Sequence, residues 1–552
     1  MVMPKVRLAL AQTNPVVGAI EANLQQIFEG VQTAANSGAN LVLFGEMSVT
    51  GYPIEDLAGR KSFIEQAQDA VTALAQKLSR QGLGEIAVVI GHPALAPSTT
   101  KRNWAIAQNC ASVLLGGKVL GKYAKHHLPN YSVFDEYRIF VPGEELLTFD
   151  LHGLKFATLI CEDIWQTGGP VAELQGANCD VVLVLNGSPF EIDKDDRRLQ
   201  LVQELAKSNN AAVAYVNLVG GQDDLVFDGD SIAVDSTGTL IARAAQFESD
   251  LLLLDVESRS DLTLVGQSLR EKETDNWQIW QALVLGLRDY VNKNGFKSVI
   301  LGLSGGIDSA VCAAIAADAL GPDRVFGVSM PSRYSSGHSK SDADDSATRI
   351  GLHFRTEPIE DLVNAFEKQL GLDGVAAENL QARMRGVILM GLSNAEGHLT
   401  LTTGNKTELA VGYSTIYGDS VGGFAPIKDV EKTLVWQLAR WRNEFAKQHG
   451  KVEPIPENSI SKPPSAELRP DQTDQDSLPE YELLDRLLDA YVEKRLGREQ
   501  IIDLGFEAAT VDRIISLVDR AEWKRRQGAI GPKITGMAFG RDRRLPITNR
   551  SK

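Results

Sequence analysis

The stretch Phe156–Trp165 reads FATLICEDIW and sets a thiol, Cys161, at the end of an apolar run, with Glu162 and Asp163 directly after it. The thiolate is the reactive form of cysteine, and adjacent negative charge disfavours it. Cys161 is therefore either a core residue or a nucleophile activated by groups brought from elsewhere in the chain. A cysteine closing an apolar run is usually core, and Cys110, Cys179 and Cys312 are read that way. A second stretch, GLSGGIDSA from Gly302 to Ala310, suits different chemistry. Its glycines let backbone N–H groups converge at a helix N-terminus, where phosphate binds. Glycines alone are also compatible with a tight strand-to-helix turn. The Walker loop needs Gly-Lys-Ser/Thr at the helix start, whereas Asp308-Ser309 stand here. An aspartate beside phosphates makes sense as a ligand of Mg²⁺.

Both stretches need rigid elements to aim them. In the first half VRLALAQ, ANLVLFGE, IAVVIGHP, FATLICE, CDVVLVLNGS and AAVAYVNLVG read as buried strands. EANLQQIFEGVQTAANSGA and DRRLQLVQELAKSNNA read as amphipathic helices, and IAVDSTGTLIARA as a hairpin. The polar run from Ser258 to Asn276 reads as a connection, giving units at 1–260 and 277–552 with a linker at 261–276. A helix is expected from Trp277 to Asn294. FKSVILGLSGGIDSAVCAAIAADALG then gives strand, glycine turn and helix, and RVFGVSMPS the next strand. That order implies a parallel, doubly wound sheet. The proline-rich stretch from Glu453 to Glu480 is too rich in proline for a helix, and a loop so long is usually functional or disordered.

Composition narrows the classes. A chain of 552 residues is too long for one core and calls for two large or three small domains. A net charge of −16 argues against a general nucleic-acid binder. The charge is uneven, since nine Lys or Arg face one acid, Asp542, from Lys524 onward. That tail is either a solvated basic end or a local partner for an anionic substrate. The four cysteines lack CxxC spacing, which suggests a reducing, cytoplasmic setting rather than a zinc ribbon or disulfide frame. The start MVMPKVRLAL lacks the apolar core of a signal peptide, and no apolar run approaches the length of a membrane span.

SGGxDS resembles the signature of the ATP pyrophosphatases, which cleave ATP to AMP and pyrophosphate. MPSRYSS, ENLQARMRG, TTGNKTELAVGYSTIYGDSVGGFAPIKDVEKT, SKPPSAELRPDQTDQDSLPEYELLD and KRRQGAIGPKITGMAFGRDRRLPITNR together resemble the NAD synthetase family over most of 277–552. The resemblance implies an adenine nucleotide alpha hydrolase-like, Rossmann-like α/β fold. It implies that Gly302, Leu303, Ser304, Gly305, Gly306, Ile307, Asp308 and Ser309 cradle the phosphates of ATP, with Thr403 also contacting ATP. It further implies that Asp308 and Glu408 hold Mg²⁺, and that Asn379, Glu408 and Lys524 contact deamido-NAD⁺. Lys462 is a weaker candidate, equally readable as a surface lysine. Such an enzyme transfers AMP to a carboxylate, which neutral ammonia then attacks.

The first half resembles the carbon–nitrogen hydrolase (nitrilase) family, in LVLFGEMSVTGYP with Glu46, GKYAKHHLPNYSVFDEYRIF with Lys125 and LICEDIW with Cys161. An αββα sandwich is implied, with Glu46 as general base, Lys125 favouring the thiolate and stabilising the oxyanion, and Cys161 as nucleophile. Tyr131, Ser188 and Lys194 are implied to bind glutamine. A Cys–His dyad with His126 or His127 is disfavoured, because Lys125 fits the family position and adjacent side chains diverge. Glu162 and Asp163 are expected to lie on alternate sides of an extended segment. Together the halves imply a glutamine amidotransferase, with deamido-NAD⁺, ATP and L-glutamine as small-molecule substrates, an internal ammonia passage and a homo-oligomer. The competing expectations are an amidotransferase with another acceptor, and a first half that serves only as a scaffold.

Overall fold

The computed structural model describes residues 6–97, 105–470 and 472–548. The first five residues, read above for a signal segment, and Arg550 and Lys552 of the basic tail lie outside the described residues. The chain divides into two compact units, Met1–Gln222 with Val226–Asp275, and Asp223–Leu225 with Asn276–Lys552.

In the first unit the described residues form sheets of seven and six strands. The larger has the spatial order Asp261–Leu264, Asp250–Ser258, Val6–Gln12, Leu41–Phe44, Ala87–Leu95, Ala107–Leu115 and Lys118–Ala124. Its three central strands are parallel and the outer pairs antiparallel. The smaller sheet is ordered Leu240–Arg243, Ile232–Val234, Ala212–Asn217, Val181–Asn186, Leu154–Ile160 and Leu147–Leu151. The two-residue period of a strand explains the layering. Val6, Leu8 and Leu10 join Phe156, Leu159 and Leu183 in one core between the sheets. Ala9 and Ala11 point the other way, onto Ile27, Val31 and Val71 of the helices Ile20–Asn36 and Lys61–Arg80. The helix Lys194–Asn209 adds Val202, Leu205 and Ala206 to the core of the smaller sheet. This is the nitrilase-like α/β sandwich.

The segment 261–276 is not linker throughout. Asp261–Leu264 pairs antiparallel with Asp250–Ser258, burying Leu262 while Asp261 and Thr263 face outward. The alternation of DLTL is that of a half-buried edge strand.

In the second unit the strands Val299–Gly302, Val325–Ser329, His353–Thr356 and Leu399–Thr400 form a parallel sheet. Their spatial order puts Val299–Gly302 between the strand that follows it and the last, so the winding reverses there. Ligands of such sheets bind at the carboxyl ends of strands flanking that reversal. Gly302–Gly306 turns the chain at that end into the helix Ile307–Leu320. The expected leading helix runs Asp275–Lys293. A helical lobe built on Leu484, Leu487, Val511 and Ile514 completes the unit. The proline-rich stretch does hold a short helix, Glu457–Ser461, ahead of its prolines at 463 and 464.

Candidate active sites

In the first unit Glu46, Lys125 and Cys161 each stand just beyond the end of a strand. Lys125 Nζ lies 2.8 Å from Glu46 Oε1 and 2.8 Å from Glu136 Oε2, and the three side chains are at most 3% exposed. Glu46 is held further by Asn109 Nδ2 at 2.6 Å and by the Gly187 amide at 2.8 Å. Tyr52 donates its hydroxyl to Glu136 Oε1 at 2.9 Å. Glu136, Asn109 and Tyr52 were given no role on sequence grounds. Tyr52 and Glu136 sit inside the stretches already quoted, but nothing local sets them apart from ordinary residues.

Electrostatics sharpen the roles. Burial would lower the pKa of Lys125, but Glu136 and Glu46 outweigh it and hold the ammonium charged. Burial, then Glu46, pushes the Cys161 thiol well above its ordinary range, and the opposing pull of Lys125 does not reverse this. Lys125 thus pulls toward the thiolate, but burial and Glu46 outweigh it. In this dry site the sulfur rests as the thiol and needs a base when it reacts. Burial, opposed by Lys125, also raises the Glu136 carboxyl to about 7.

The residues after the thiol are not extended either. Cys161–Ile164 is a single 3₁₀ turn, and Cys161 has φ of 42°. A non-glycine residue in the left-handed region is uncommon and marks a sharp strand-to-turn corner that presents its side chain. Glu162 accepts hydrogen bonds from Tyr131 Oη at 2.9 Å and Gln166 Nε2 at 2.8 Å. Asp163 turns toward the strand end that carries Lys125 and accepts from the amides of His126 and His127. The His126 ring is bonded through Nδ1 to the Gly143 carbonyl at 2.6 Å. Ser188 is buried, its amide bonded to Asn217 Oδ1 at 2.9 Å. Lys194 opens the helix Lys194–Asn209, partly exposed, and Tyr131 is 53% exposed.

In the second unit a cavity of about 300 Å³ opens at the glycine turn. Gly302, Leu303, Ser304, Gly306, Ile307, Asp308, Ser309, Thr403 and Glu408 line it. Gly305 has φ of 79°, and a Cβ there would meet the Ser339 carbonyl oxygen at 2.3 Å, so this position demands glycine. Asp308 Oδ1 accepts from Asn405 Nδ2 at 3.0 Å, and Lys432 Nζ bonds Asp308 and reaches Glu408 Oε1 at 3.4 Å. Sequence reasoning gave Lys432 no role. Burial, then the charge of Asp308, raises the Glu408 carboxyl to about 8.

Asp308 and Glu408 at a phosphate-type loop are a hard-oxygen donor set, and Lys432 is the cation they share in this structure. They fit Mg²⁺. Among the described residues no cluster of three or more His, Cys, Asp and Glu side chains forms a metal cage. An ion here would complete its shell with water and phosphate oxygens, as Mg²⁺ usually does.

Asn379 and Lys524 lie outside the cavity lining and instead brace one loop. Lys524 Nζ donates to the carbonyls of Gly412 and Ser414, both at 2.8 Å, and Asn379 Oδ1 accepts from Thr415 Oγ1 at 2.8 Å. Lys462 does line the cavity, paired with Glu467 at 3.0 Å. The proline-rich run from Lys462 to Leu468 forms part of its wall. Of the nine basic residues of the tail, Arg525 pairs within the protein with Glu522 at 2.9 Å, Lys533 with Asp542 at 3.2 Å and Arg543 with Asp519 at 3.5 Å, and Arg526 shares Glu522 at 2.8 Å.

Fold and sites together define a class, a carbon–nitrogen hydrolase unit and a nucleotide-loop synthase unit on one chain. The comparisons agree: residues 7–262 match the carbon–nitrogen hydrolase family and 279–528 the NAD synthase family. The glutamine-dependent NAD(+) synthetase of Acinetobacter baylyi is 46% identical over 99% of each chain. That of Thermotoga maritima is 42% identical over 100% of both. The solved structure of the glutamine-dependent NAD⁺ synthetase from Acinetobacter baumannii, in complex with ADP, superposes with a TM-score of 0.77 at 43% identity, covering 99% of this chain and 98% of that one. The Cytophaga hutchinsonii synthetase shares the fold, with a TM-score of 0.82 at 23% identity, over 99% of this chain and 98% of that one. The chain belongs to the glutamine-dependent NAD⁺ synthetase family.

Proposed function

We infer that this chain is a ligase that makes NAD⁺ from deamido-NAD⁺ and ATP, taking its nitrogen from glutamine. The carrying observation is the pairing on one chain of a buried thiol beside a closed Glu46–Lys125–Glu136 group with a glycine turn whose Asp308 and Glu408 face a cavity. In the first unit Glu46 takes the Cys161 proton as the sulfur attacks the glutamine amide carbon. Lys125 stabilises the oxyanion, and the proton passes to the departing nitrogen, releasing ammonia and leaving a thioester. Glu46 then deprotonates water, which cleaves the thioester to glutamate and returns the thiol. Tyr131, Ser188 and Lys194 hold glutamine in this reading.

Ammonia then passes internally to the second unit, which avoids loss to ammonium in bulk water. There the turn from Gly302 to Ser309 and Thr403 hold ATP, and AMP is transferred to the nicotinate carboxylate. Asp308 and Glu408 would hold Mg²⁺, which when bound supplies charge neutralisation for the phosphates. Lys432 offers a further cation beside them. Asn379 and Lys524 support the deamido-NAD⁺ side by ordering the loop they brace. Ammonia attacks the adenylate, giving NAD⁺ and AMP, pyrophosphate having left earlier. Such a reaction is the final step of NAD⁺ formation.

A cytoplasmic setting suits the four buried, unpaired thiols. Among the described residues no helix is long and apolar enough to cross a membrane. A homo-oligomer suits Leu362, Phe366 and Leu370, apolar and exposed at four-residue spacing on the helix Glu360–Leu370. The test is Cys161→Ala assayed with each nitrogen source. Glutamine-driven NAD⁺ formation is expected to fall by ~10⁴-fold or more, with ammonia-driven formation retained. Equal loss of both would contradict separate sites, and no NAD⁺ from deamido-NAD⁺ in the wild type would point to an amidotransferase with another acceptor.

A further inference from the structure

Asp163, two residues after the thiol, takes no part in the chemistry above, yet it is among the best-bonded acids in the molecule. Its side chain is fully buried. Oδ1 accepts from the amides of His126 at 3.1 Å and His127 at 2.9 Å. Oδ2 accepts from Tyr123 Oη at 2.7 Å and the Ile160 amide at 3.0 Å. These donors come from two places. Ile160 is the last residue of the strand Leu154–Ile160, in the six-stranded sheet. Tyr123 belongs to the strand Lys118–Ala124 in the seven-stranded sheet, and His126 and His127 directly follow that strand. Cys161 leaves the first of these strand ends and Lys125 the second. Faces of stacked sheets stand about 10 Å apart, and one carboxylate ties the two ends together where thiol and ammonium must meet.

The thiol also sits at a left-handed corner, with φ of 42°, which persists only where surrounding contacts over-determine it. The Asp163–Ile160 bond closes that corner on one side. The bonds to His126 and His127 fix the residues next to Lys125, whose own amide bonds the Asn109 carbonyl at 2.8 Å within its sheet.

We propose that Asp163 is a positioning residue for glutamine hydrolysis, setting the separation of the Cys161 sulfur and the Lys125 ammonium by clamping the two strand ends. This rests on the reading that those two groups do the chemistry. A misplacement of about 1 Å in such a site costs ~10²-fold in rate.

Asp163→Asn has the same shape and keeps an acceptor for His126 and His127, but turns an NH₂ on the Ile160 amide. Tyr123→Phe removes one donor of the four and guards against a variant that fails to fold. The variants are compared in the full-length enzyme by glutamate release per mole of Cys161 that iodoacetamide can label, and by ammonia-driven NAD⁺ formation. For Asp163→Asn we expect kcat per labelled site to fall ~10²-fold, KM for glutamine to stay within ~3-fold, and ammonia-driven formation to stay within ~2-fold. The rate of Cys161 labelling should change as well, because the charge beside the sulfur has moved. Tyr123→Phe should show the same pattern at less than ~10-fold. Unchanged turnover per labelled site in both variants would overturn the clamp. So would a fall in ammonia-driven formation that matches the fall with glutamine. Failure of the underlying reading looks different, since Cys161→Ala would then keep its glutamine activity.

Discussion

Lys125 stands between Glu46 and Glu136 in the first unit, and Lys432 stands between Asp308 and Glu408 in the second. The chemical formula is the same, one ammonium and two carboxylates, but the surroundings differ. Lys125 and its partners are at most 3% exposed. Lys432 is 2% exposed, but Asp308 and Glu408 are 18% and 19% exposed and face the cavity. The closed group is a permanent fixture. Its charge has no replacement, which suits chemistry whose nucleophile, base and oxyanion partner all belong to the protein. The open group can trade partners, because a cation that enters the cavity competes with Lys432 for the carboxylates, and an anion competes with the carboxylates for Lys432. That suits a reaction whose charges arrive with a nucleotide and leave with pyrophosphate.

Replacing each lysine by methionine is the hardest test of this difference. Lys125→Met leaves two carboxylates buried without their cation, which costs about 3–5 kcal/mol of stability, and glutamine-driven synthesis should fall ~10³-fold. Lys432→Met leaves carboxylates that line a cavity rather than a closed core, so its stability cost is expected to be smaller than that of Lys125→Met. Its synthesis should fall ~10²-fold with either nitrogen source. Urea unfolding and the paired assays measure both. Equal destabilisation by the two changes would break the comparison.

The two sites also differ in how far the sequence announces them. Gly302–Ser309 is a local pattern, strand then glycines then helix, so the turn and its cavity follow from consecutive residues. Glu46, Lys125 and Cys161 are far apart, but Glu46 and Cys161 stand at the ends of legible strands, and the order of all three carried the resemblance. Glu136 and Lys432 were not legible. Each is an ordinary charged residue in its own stretch, and its importance comes from partners 11 and 124 positions away, Lys125 and Asp308. The Cys161 corner was hidden too, because nothing local marks a non-glycine residue for positive φ. The strand Asp261–Leu264 was legible, since Leu262 and Leu264 alternate with polar residues, but the charged residues after it drew the whole stretch into a linker.

Backbone geometry offers a second contrast between the units. The turn at Gly305 has no room for a side chain, because a Cβ would press on the Ser339 carbonyl while φ is 79°. Gly305→Ala should reduce ammonia-driven synthesis by roughly 10–100-fold, by displacing the amides that face phosphate, at a strain of about 1–3 kcal/mol. Labelling of Cys161 by iodoacetamide should be unchanged. A parallel loss of labelling would mean that the two sites are not independently built.

The smallest expected effect concerns the proton of the closed group. The Glu136 carboxyl is raised from its ordinary 4.5 to about 7, by burial first, with Glu46 adding to the shift and Lys125 opposing it. A carboxyl raised on folding binds its proton more tightly in the native state than in the unfolded chain. Its contribution to stability is therefore whole below about pH 4.5 and is lost as pH rises through about 7. The slope cannot exceed ~1.4 kcal/mol per pH unit, the value for one whole proton. Glu136→Gln keeps the shape and an acceptor for Tyr52 while removing the proton. Unfolding free energies measured from about pH 4.5 to about pH 8 should fall less steeply for Glu136→Gln than for the wild type. If the two slopes coincide, Glu136 does not carry that proton, and Lys125 sits between two full negative charges. The closed group would then differ from the open one in protonation as well as exposure, since the Glu408 carboxyl is raised to about 8.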